Sequence, residues 1–392
     1  MKVLSTQQGG VGAALLPAAL LPLLNEAFVQ SCNLVERYTV ALAAQVFETS
    51  ALARSLKRAR TIDEAIFAAG LNQDVARAPV RWLLEILAEA GRVQRFEEGG
   101  AVRYRAIAGD VEDPYALLKE QEALDARCLP SYRIAALAAE RYTAVLCGEL
   151  TGEQALFGPA TLDAWSDYFS NDNPLYAIAN SIGAMLIEQH LDGGANSILE
   201  IGGGQGSGAQ AVWRRLEAAR RTGDVDAYRF TEVSGIFLRR AQKTLRPPFP
   251  DAPFSFTKLD IDQPFSSAGI APASCTMIYG VNVLHVAHDL VATLAEIRTA
   301  LTPNGTLVIS ECVRPFAKRP IYVEFVFNLL ESFRSPVLVP DWRPNGGFLT
   351  PEQWQAALEA NRFKDVRFLP DIAKVRNVIP AFVVAGISAK PA

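Results

Sequence analysis

The spacing of apolar residues divides the chain into a helical first half and an alternating second half. Apolar positions recur at helical spacing over residues 34–60, and two more helical segments follow at 61–70 and 74–90. The first of these two opens with Thr61-Ile-Asp-Glu64, the order of a capping box. Residues 91–106 then alternate around a Glu-Glu-Gly-Gly turn, which indicates a β-hairpin. Three helices and a hairpin in this order predict a winged-helix region.

The second half contains short apolar runs with helical segments between most of them. The strand-like runs cover residues 197–202, 228–233, 254–259, 275–284, 305–313, 366–369 and 381–388. Strands that alternate with helices predict an α/β fold with a doubly wound, mainly parallel sheet. A chain of 392 residues is also long for a single core. We therefore expect an N-terminal helical region at 1–110, a helical linker or lid at 111–190 and a Rossmann-like domain at 191–392.

Composition and charge narrow the class of protein. Half of the residues are hydrophobic, which is typical of a globular chain, and the net charge of -4 argues against a nucleic-acid partner. The five cysteines form no C-x-x-C pair and the chain has only three histidines, so we expect a cytoplasmic protein without a metal. The apolar run 11–24 is too short to span a bilayer. We interpret it as a buried helix that could pack on a second copy, and we expect a homodimer and no membrane association.

A glycine-rich turn carries the clearest chemical signal. The run 197–209 begins as an apolar strand, places Glu200 near the strand's end, and continues through Gly202, Gly204 and Gly206 into a helix. Such a backbone can approach a nucleoside closely, and the helix N-terminus offers free N–H groups. The same glycines also fit the dinucleotide pattern, so NAD stays open at this point.

Two acids lie at the predicted ends of the next two strands. Glu232 ends the second strand, where a carboxylate can accept both ribose hydroxyls of either cofactor, although an acid before a helix also fits this position. Asp260, followed by Ile261, ends the third strand and could accept the adenine amino group. A surface turn explains Asp260 nearly as well.

Several further segments resemble one enzyme family. The matching pieces are residues 230–234 (Phe-Thr-Glu-Val-Ser), 282–285 (Asn-Val-Leu-His), 301–305 (Leu-Thr-Pro-Asn-Gly), 309–311 (Ile-Ser-Glu) and 341–344 (Asp-Trp-Arg-Pro) before 349–354 (Leu-Thr-Pro-Glu-Gln-Trp). Residues 197–370 thus resemble the class I S-adenosylmethionine (SAM) methyltransferases of polyketide assembly lines and their stand-alone relatives. The resemblance implies seven strands with the last inserted antiparallel. It also implies SAM as the cofactor, bound by Glu200, Gly202, Gly204, Gly206, Glu232, Asp260, Ile261 and Asn282.

In that family the histidine and glutamate that match His285 and Glu311 form a catalytic dyad. Both residues follow neighbouring strands of the predicted sheet, at the edge where doubly wound sheets bind ligands. A histidine can remove a proton from an enol, a hydroxyl or an activated carbon acid. A glutamate can fix the imidazole tautomer and stabilise the imidazolium. A structural alternative pairs Glu311 with Arg314.

Candidate substrate contacts come from two other segments. Residues 165–176 place four aromatic side chains among amides and acids, which fits either a pocket wall or a joint between helices. Residues 321–331 read as an apolar helix with two polar positions four apart. The candidates are Tyr168, Phe169, Asn173, Tyr176, Asn180, His288, Glu324 and Asn328.

The sequence therefore predicts a SAM-dependent methyltransferase that acts on a small or carrier-tethered, polyketide-like substrate. We favour O-methylation of an enol or hydroxyl, because the N-terminal half looks like that of small-molecule O-methyltransferases. C-methylation of an activated carbon is the alternative. A nicotinamide oxidoreductase and a winged-helix regulator are the two readings from other classes of protein.

Overall fold

The N-terminal part of the molecule is helical. The computed structural model describes residue 16 and residues 18–392. The apolar run 11–24 lies partly outside these residues; within them, Ala18–Leu20 is a short 3-10 turn and not a longer helix. The helices that follow, up to the sheet, are α1 (Glu26–Thr49), α2 (Leu52–Ser55), α3 (Ile62–Ala69), α4 (Gln73–Glu89), α5 (Pro114–Asp125), α6 (Leu129–Leu146), α7 (Gly152–Leu156), α8 (Leu162–Tyr168) and α9 (Pro174–His190).

Local signals in this region act as expected from the sequence. Thr61 and Glu64 form the capping box at the start of α3, since the Glu64 N–H donates to Thr61 Oγ1 and the Thr61 N–H donates to Glu64 Oε2 (2.9 Å). The hairpin pairs β1 (Val93–Glu98) with β2 (Ala101–Ala106) antiparallel. The expected helix over 34–60 is divided, because α1 ends at Thr49 and α2 follows. The structure thus has the predicted order of helices and hairpin.

The C-terminal part contains a seven-stranded sheet. Its strands are β3 (Asn196–Glu200), β4 (Val225–Glu232), β5 (Phe254–Lys258), β6 (Cys275–Val281), β7 (Leu301–Cys312), β8 (Phe363–Leu369) and β9 (Val384–Pro391), in the order β5-β4-β3-β6-β7-β9-β8. Strands β3 to β7 pair parallel, and β9 pairs antiparallel with both β7 and β8. This confirms the predicted doubly wound sheet with its last strand inserted antiparallel. The helices of this part are α10 (Ser207–Ala219), α11 (Gly235–Leu245), α12 (Leu290–Ala300), α13 (Glu324–Phe327), α14 (Glu331–Arg334), α15 (Pro351–Ala360) and α16 (Ile372–Val375).

The order of the strands creates a crevice between β3 and β6. From β3 the chain winds outward through β4 to β5, whereas β6 and β7 lie on the other side of β3. The carboxyl ends of β3 and β6 therefore border a topological switch point, where open α/β sheets bind ligands. Helix α9 packs on this part of the sheet. Gly183 of this helix allows the close approach, because a Cβ at this position would lie 2.7 Å from Tyr279 Oη.

One predicted element is wrong. Residues 321–331 do not form a continuous helix, because the helical turn α13 ends after Phe327 and α14 begins only at Glu331. The Glu324 carboxylate accepts the Ile321 N–H (3.1 Å) and so stabilises a compact turn at this point. Two strand limits also differ from the prediction, since β7 starts at Leu301 and β9 at Val384. From residue 18 onward, the structure contains no helix that is both long and apolar enough to cross a membrane.

Candidate active site

A cavity opens at the carboxyl ends of β3, β4, β6 and β7. Its empty volume is about 1230 Å³ including the part open to solvent, and its wall is mainly apolar with a few polar groups. Ligand pockets commonly have this kind of lining. Of the predicted site residues, those that line the cavity are Tyr168, Phe169, Tyr176, Asn180, Glu200, Gly202, Gly204, Glu232, Asn282 and His285.

The glycine turn fits closely on one side and leaves space on the other. Gly202 has a φ of 58°, and a Cβ there would lie 2.3 Å from Val283 Cγ2. Gly204 has the same φ, but a Cβ there would meet no atom within 4 Å, because this glycine faces the cavity. Gly206, with a φ of 94°, lies immediately before α10 and does not line the cavity; a Cβ there would lie 3.1 Å from Leu245 at the end of α11. The turn thus forms a cradle that a bound nucleoside can occupy.

Two carboxyl groups stabilise this cradle. Glu200 is 1% exposed and accepts the Tyr228 hydroxyl (3.0 Å), and burial raises the pKa of this carboxyl to about 8. Glu232 accepts the Gly204 N–H at Oε2 (3.0 Å) and the Ser234 N–H at Oε1 (2.8 Å). Each Glu232 oxygen has a further lone pair, so the carboxylate can still accept ribose hydroxyls.

The predicted adenine contacts lie outside the cavity wall. Asp260 Oδ1 accepts the Asp262 N–H (3.0 Å), and the Ile261 carbonyl accepts the Thr293 hydroxyl (3.1 Å). The structure thus gives both residues roles in the loop after β5, and their contact with adenine stays a prediction. Phe237 on α11 lines the cavity instead. Phe237 was missed in the sequence analysis, because an apolar residue in an amphipathic helix usually packs in the core.

Asn282 joins the ends of β6 and β7. It has a φ of 51°, a conformation that asparagine tolerates better than most residues. Its N–H donates to the Ser310 carbonyl (2.8 Å), and its Oδ1 accepts the Cys312 N–H (2.7 Å). Asn282 therefore fixes the backbone immediately before the turn that carries His285.

His285 and Glu311 form a buried pair. His285 lies on the 3-10 turn Leu284–Val286, and its Nδ1 is 2.7 Å from Glu311 Oε2. The other Glu311 oxygen accepts the N–H groups of Val283 (3.0 Å) and Leu284 (2.8 Å), and the side chain is fully buried. An Nδ1–H that donates to the carboxylate leaves Nε2 unprotonated, which is the tautomer that a general base requires.

An arginine and two phenylalanine rings surround the His285–Glu311 pair and restrict the position of the imidazole. Arg343 is 1% exposed and donates to the carbonyls of His285 (2.7 Å) and Ala287 (3.0 Å), and burial lowers its pKa to about 10. The rings of Phe348 and Phe333 lie 4.5 and 5.9 Å from the imidazole, measured between centroids. The carbonyl contacts fix the backbone of the turn, and the aromatic rings restrict the orientation of the imidazole.

The aromatic segment before α9 forms one wall of the cavity. Tyr168, Phe169 and Tyr176 pack on one another at centroid distances of 5.2 to 5.5 Å. Asn180 donates to Asn171 Oδ1 (2.8 Å), whereas its own Oδ1 is buried without a partner in the described part of the chain. Gln205 Nε2 is likewise buried without a hydrogen-bond partner in the described part of the chain. A buried polar atom without a partner is unusual, and two that lie in one cavity indicate a polar ligand.

Two predicted substrate contacts have other roles in the structure. Asn173 is 1% exposed and donates to Ser131 Oγ (3.0 Å) and to the Tyr168 carbonyl (2.9 Å). His288 is exposed, and its backbone N–H donates to Asp262 Oδ1 (2.8 Å). Neither residue lines the cavity. The structure does not support substrate contact by either one.

Two more of the predicted substrate contacts, Glu324 and Asn328, also lie outside the cavity. Glu324 is fully buried and accepts Arg314 Nε (2.7 Å), so the arginine that could have paired with Glu311 pairs with Glu324. Asn328 lines a separate cleft. The side chains from this segment that do line the cavity are Tyr322, Val323, Phe327 and Leu330. The predicted helix would have placed Glu324 and Asn328 on one face, and the two short turns separate them. Across residues 18–392, no three histidine, cysteine or acidic side chains lie together as a metal site.

Sequence comparison relates part of the chain to polyketide synthases. No family model matches the chain. It is 28% identical over 239 residues to highly reducing polyketide synthase 2 of Gibberella zeae and 26% identical over 236 residues to polyketide synthase PksR of Bacillus subtilis. These matches cover 60% and 58% of the chain. The chain spans about 9% of the length of each of these curated relatives.

Solved structures match nearly the whole chain. The CurJ carbon methyltransferase has a TM-score of 0.79 at 22% identity, with 98% of both chains covered. The chain shares the fold of this structure. The CMeT domain of the citrinin polyketide synthase has a TM-score of 0.71 at 18% identity, with 96% of this chain and 98% of that one covered. The trans-methyltransferase CalH, solved with S-adenosylhomocysteine, has a TM-score of 0.61 at 20% identity, with 92% and 90% covered.

Proposed function

We propose that the protein is a SAM-dependent C-methyltransferase that acts on the activated carbon of a β-ketoacyl thioester. The observation that carries the proposal is the His285–Glu311 pair, which borders the same cavity as the glycine cradle. A base and a nucleoside site in one enclosed space suit the transfer of a group to a carbon or oxygen that must first lose a proton.

The residues that line the cradle fit the cofactor. Gly204 leaves free space, Glu232 has acceptor capacity for ribose hydroxyls, and Gln205 Nε2 lacks a partner within the described residues. When bound, SAM supplies an electrophilic methyl group on a sulfonium. The cradle places the nucleoside end at β3 and β4, whereas His285 follows β6. A substrate between them has the cradle on one side and the base on the other.

The chain's own part in the reaction is to remove and hold a proton. His285 Nε2 accepts the proton from the carbon between the two carbonyl groups, so that the C–H electron pair becomes available to form the new C–C bond. Bound SAM would supply the methyl group for this bond, with S-adenosylhomocysteine as the leaving group. Glu311 stabilises the imidazolium during this step because its carboxylate faces Nδ1 at 2.7 Å. The imidazolium then returns the proton to water.

The choice of carbon revises the preference for oxygen that the sequence suggested. That preference rested on the N-terminal half, which looked like that of O-methyltransferases. The CurJ carbon methyltransferase matches 98% of this chain, so an N-terminal half of this kind also accompanies carbon methylation. The likeness to polyketide synthases supports a β-ketoacyl thioester as the substrate class. O-methylation of the corresponding enol remains the competing outcome of the test.

The test follows both the proton and the methyl group. The protein is incubated with SAM and the acetoacetyl thioester of N-acetylcysteamine, and NMR spectroscopy locates the new methyl on carbon or oxygen. In parallel, exchange of the acidic protons is measured in deuterium oxide with S-adenosylhomocysteine in place of SAM. We expect a C-methyl product, and we expect His285→Ala to lose both methyl transfer and exchange while SAM affinity changes little. An O-methyl product would overturn the choice of atom, and full activity of His285→Ala would overturn the role of the base.

A further inference from the structure

A second cleft lies on the other side of the wall behind His285. It is formed by α4, the hairpin strand β1 and the segment 314–346. Seven cationic side chains line it against three acidic ones, although the whole chain has a net charge of -4. The cations are Arg77, Arg81, Arg95, Arg314, Lys318, Arg319 and Arg334. Such an excess of one charge in a concave surface attracts anions.

Part of this positive charge is available to a ligand. Arg319 is paired with Glu36 (2.9 Å) and Glu89 (3.2 Å), and three other arginines also have carboxylate partners. In contrast, Arg81, Lys318 and Arg334 form no ion pair within residues 18–392. Arg81 donates one hydrogen bond to the Asn345 amide oxygen (3.4 Å), and Arg334 donates one to the Val75 carbonyl (3.1 Å). Unpaired cations that border one cleft are suited to a phosphate, which accepts several charge-assisted hydrogen bonds.

A neutral polar group also lines this cleft. Asn328 is 8% exposed, and its side-chain amide forms no hydrogen bond within the described residues. The amide can both donate a hydrogen bond to a ligand and accept one from it. A secondary amide in a bound ligand has this combination.

One aromatic ring connects this cleft with the active-site cavity. Phe333 lines the cleft, and its ring packs against His285 (5.9 Å), Phe348 (5.0 Å) and Phe327 (6.1 Å), which all line the cavity. Gly346 lines the cleft beside this ring, and a Cβ there would lie 2.8 Å from the Arg334 carbonyl oxygen. The wall thus contains the Phe333 ring, which is 1% exposed and would have to rotate for a ligand to pass, and the closely packed backbone at Gly346.

We infer that the second cleft binds the phosphate of a phosphopantetheine-type thioester arm, whose acyl end reaches His285 past Phe333. Along such an arm a phosphate is followed by amides and then by the thioester. In the protein, the unpaired cations and Asn328 line one cleft, and the Phe333 ring lies between that cleft and His285. This inference rests on the proposed function, and it adds the site that would recognise the arm. Both coenzyme A and a carrier protein present this chemistry.

The first test measures binding without catalysis. Calorimetry is carried out with 4′-phosphopantetheine, which has no acyl group to methylate, on the wild type and on the double variant Arg81→Gln/Lys318→Gln. We expect the affinity to fall about tenfold, because two charged contacts to the phosphate are removed. The control is Lys364→Gln/Lys390→Gln, which removes the same charge from two exposed residues paired across β8 and β9. Equal affinity of the wild type and the first double variant would overturn the inference even if no methyl transfer were found.

The second test compares substrates with and without the phosphate. We expect Arg81→Gln/Lys318→Gln to raise KM about tenfold for acetoacetyl-phosphopantetheine and to leave the N-acetylcysteamine thioester unchanged. If the double variant raises KM equally for acetoacetyl-coenzyme A and for the carrier-bound acetoacetyl group, the cleft binds the phosphate that both share. The substrate with the larger wild-type kcat/KM is then the natural source of that phosphate. A loss confined to the carrier-bound substrate would indicate that the cleft binds an acidic face of the carrier, and would overturn the assignment. A loss confined to coenzyme A would also overturn it.

Discussion

Replacement of Glu311 by glutamine separates the chemistry of the dyad from its structural role. Glu311 accepts three hydrogen bonds, two from backbone N–H groups at one oxygen and one from His285 at the other. In Glu311→Gln the amide oxygen can keep both backbone contacts. The amide nitrogen then faces His285 Nδ1 and donates to it. The imidazole must take the opposite tautomer, with its proton on Nε2, and it can no longer act as a base.

The magnitude follows from these contacts. General base catalysis contributes roughly 10²–10⁴-fold, which equals about 3–5 kcal/mol of barrier, so kcat of Glu311→Gln should fall by about that factor. Its stability should change little, since the shape and the backbone contacts are kept. Glu311→Ala instead leaves three buried donors without a partner, at about 1–3 kcal/mol each. We therefore expect Glu311→Ala to lower the melting temperature strongly or to prevent folding.

The assay combines single-turnover methyl transfer, deuterium exchange at the substrate carbon and thermal unfolding. The reasoning requires Glu311→Gln to have a near-normal melting temperature and SAM affinity, with both methyl transfer and exchange reduced in parallel. If Glu311→Gln retained kcat within threefold of the wild type, the carboxylate would not set the tautomer of His285. If exchange stayed normal while methyl transfer fell, Glu311 would affect the transfer step and not the base.

Two further predictions concern the cofactor cradle. Gly202→Ala should destabilise the fold strongly, because its Cβ would lie 2.3 Å from Val283 Cγ2. Gly204→Ala has the same φ of 58° and no neighbour within 4 Å, so it should cost only about 1–2 kcal/mol of stability; thermal unfolding without cofactor compares the two variants, and equal losses would contradict the close packing at Gly202. Burial raises the pKa of Glu200 from 4.5 to about 8 in the folded protein, so the folded state binds one more proton than the unfolded state between these pH values. The free energy of unfolding should therefore be highest below pH 4.5 and fall by a few kcal/mol as the pH rises to about 8. Urea unfolding from pH 5 to pH 9 should show this decline in the wild type and a smaller one in Glu200→Gln; parallel curves would mean that Glu200 does not cause it.

Local patterns were sufficient for the elements of the fold. The Thr61 capping box, the hairpin over 91–106 and all seven strands of the sheet depend on residues close in sequence, and the structure has each of them. The glycine turn was also visible, since turns of this kind restrict residue type at each position. The predicted helix over 321–331 was wrong, because the Glu324 carboxylate accepts hydrogen bonds from Arg314 and from the Ile321 N–H. The periodicity of apolar residues does not show such contacts.

The sequence by itself determined the order of strands and helices, the glycine cradle and the identity of a candidate base. The elements and the glycine turn follow from short-range spacing, whereas the candidate base is what the resemblance to a known enzyme family implies. Only the tertiary structure decided which side chains share a cavity. It brought Glu311 within 2.7 Å of His285, placed the Arg343 guanidinium on the His285 carbonyl, and separated Asn173 and His288 from the substrate cavity. It also placed Asn328 among the cations of a second cleft, separated from His285 by the ring of Phe333. The physical reason is that packing between distant segments sets these distances, and a linear pattern of residue types does not encode them.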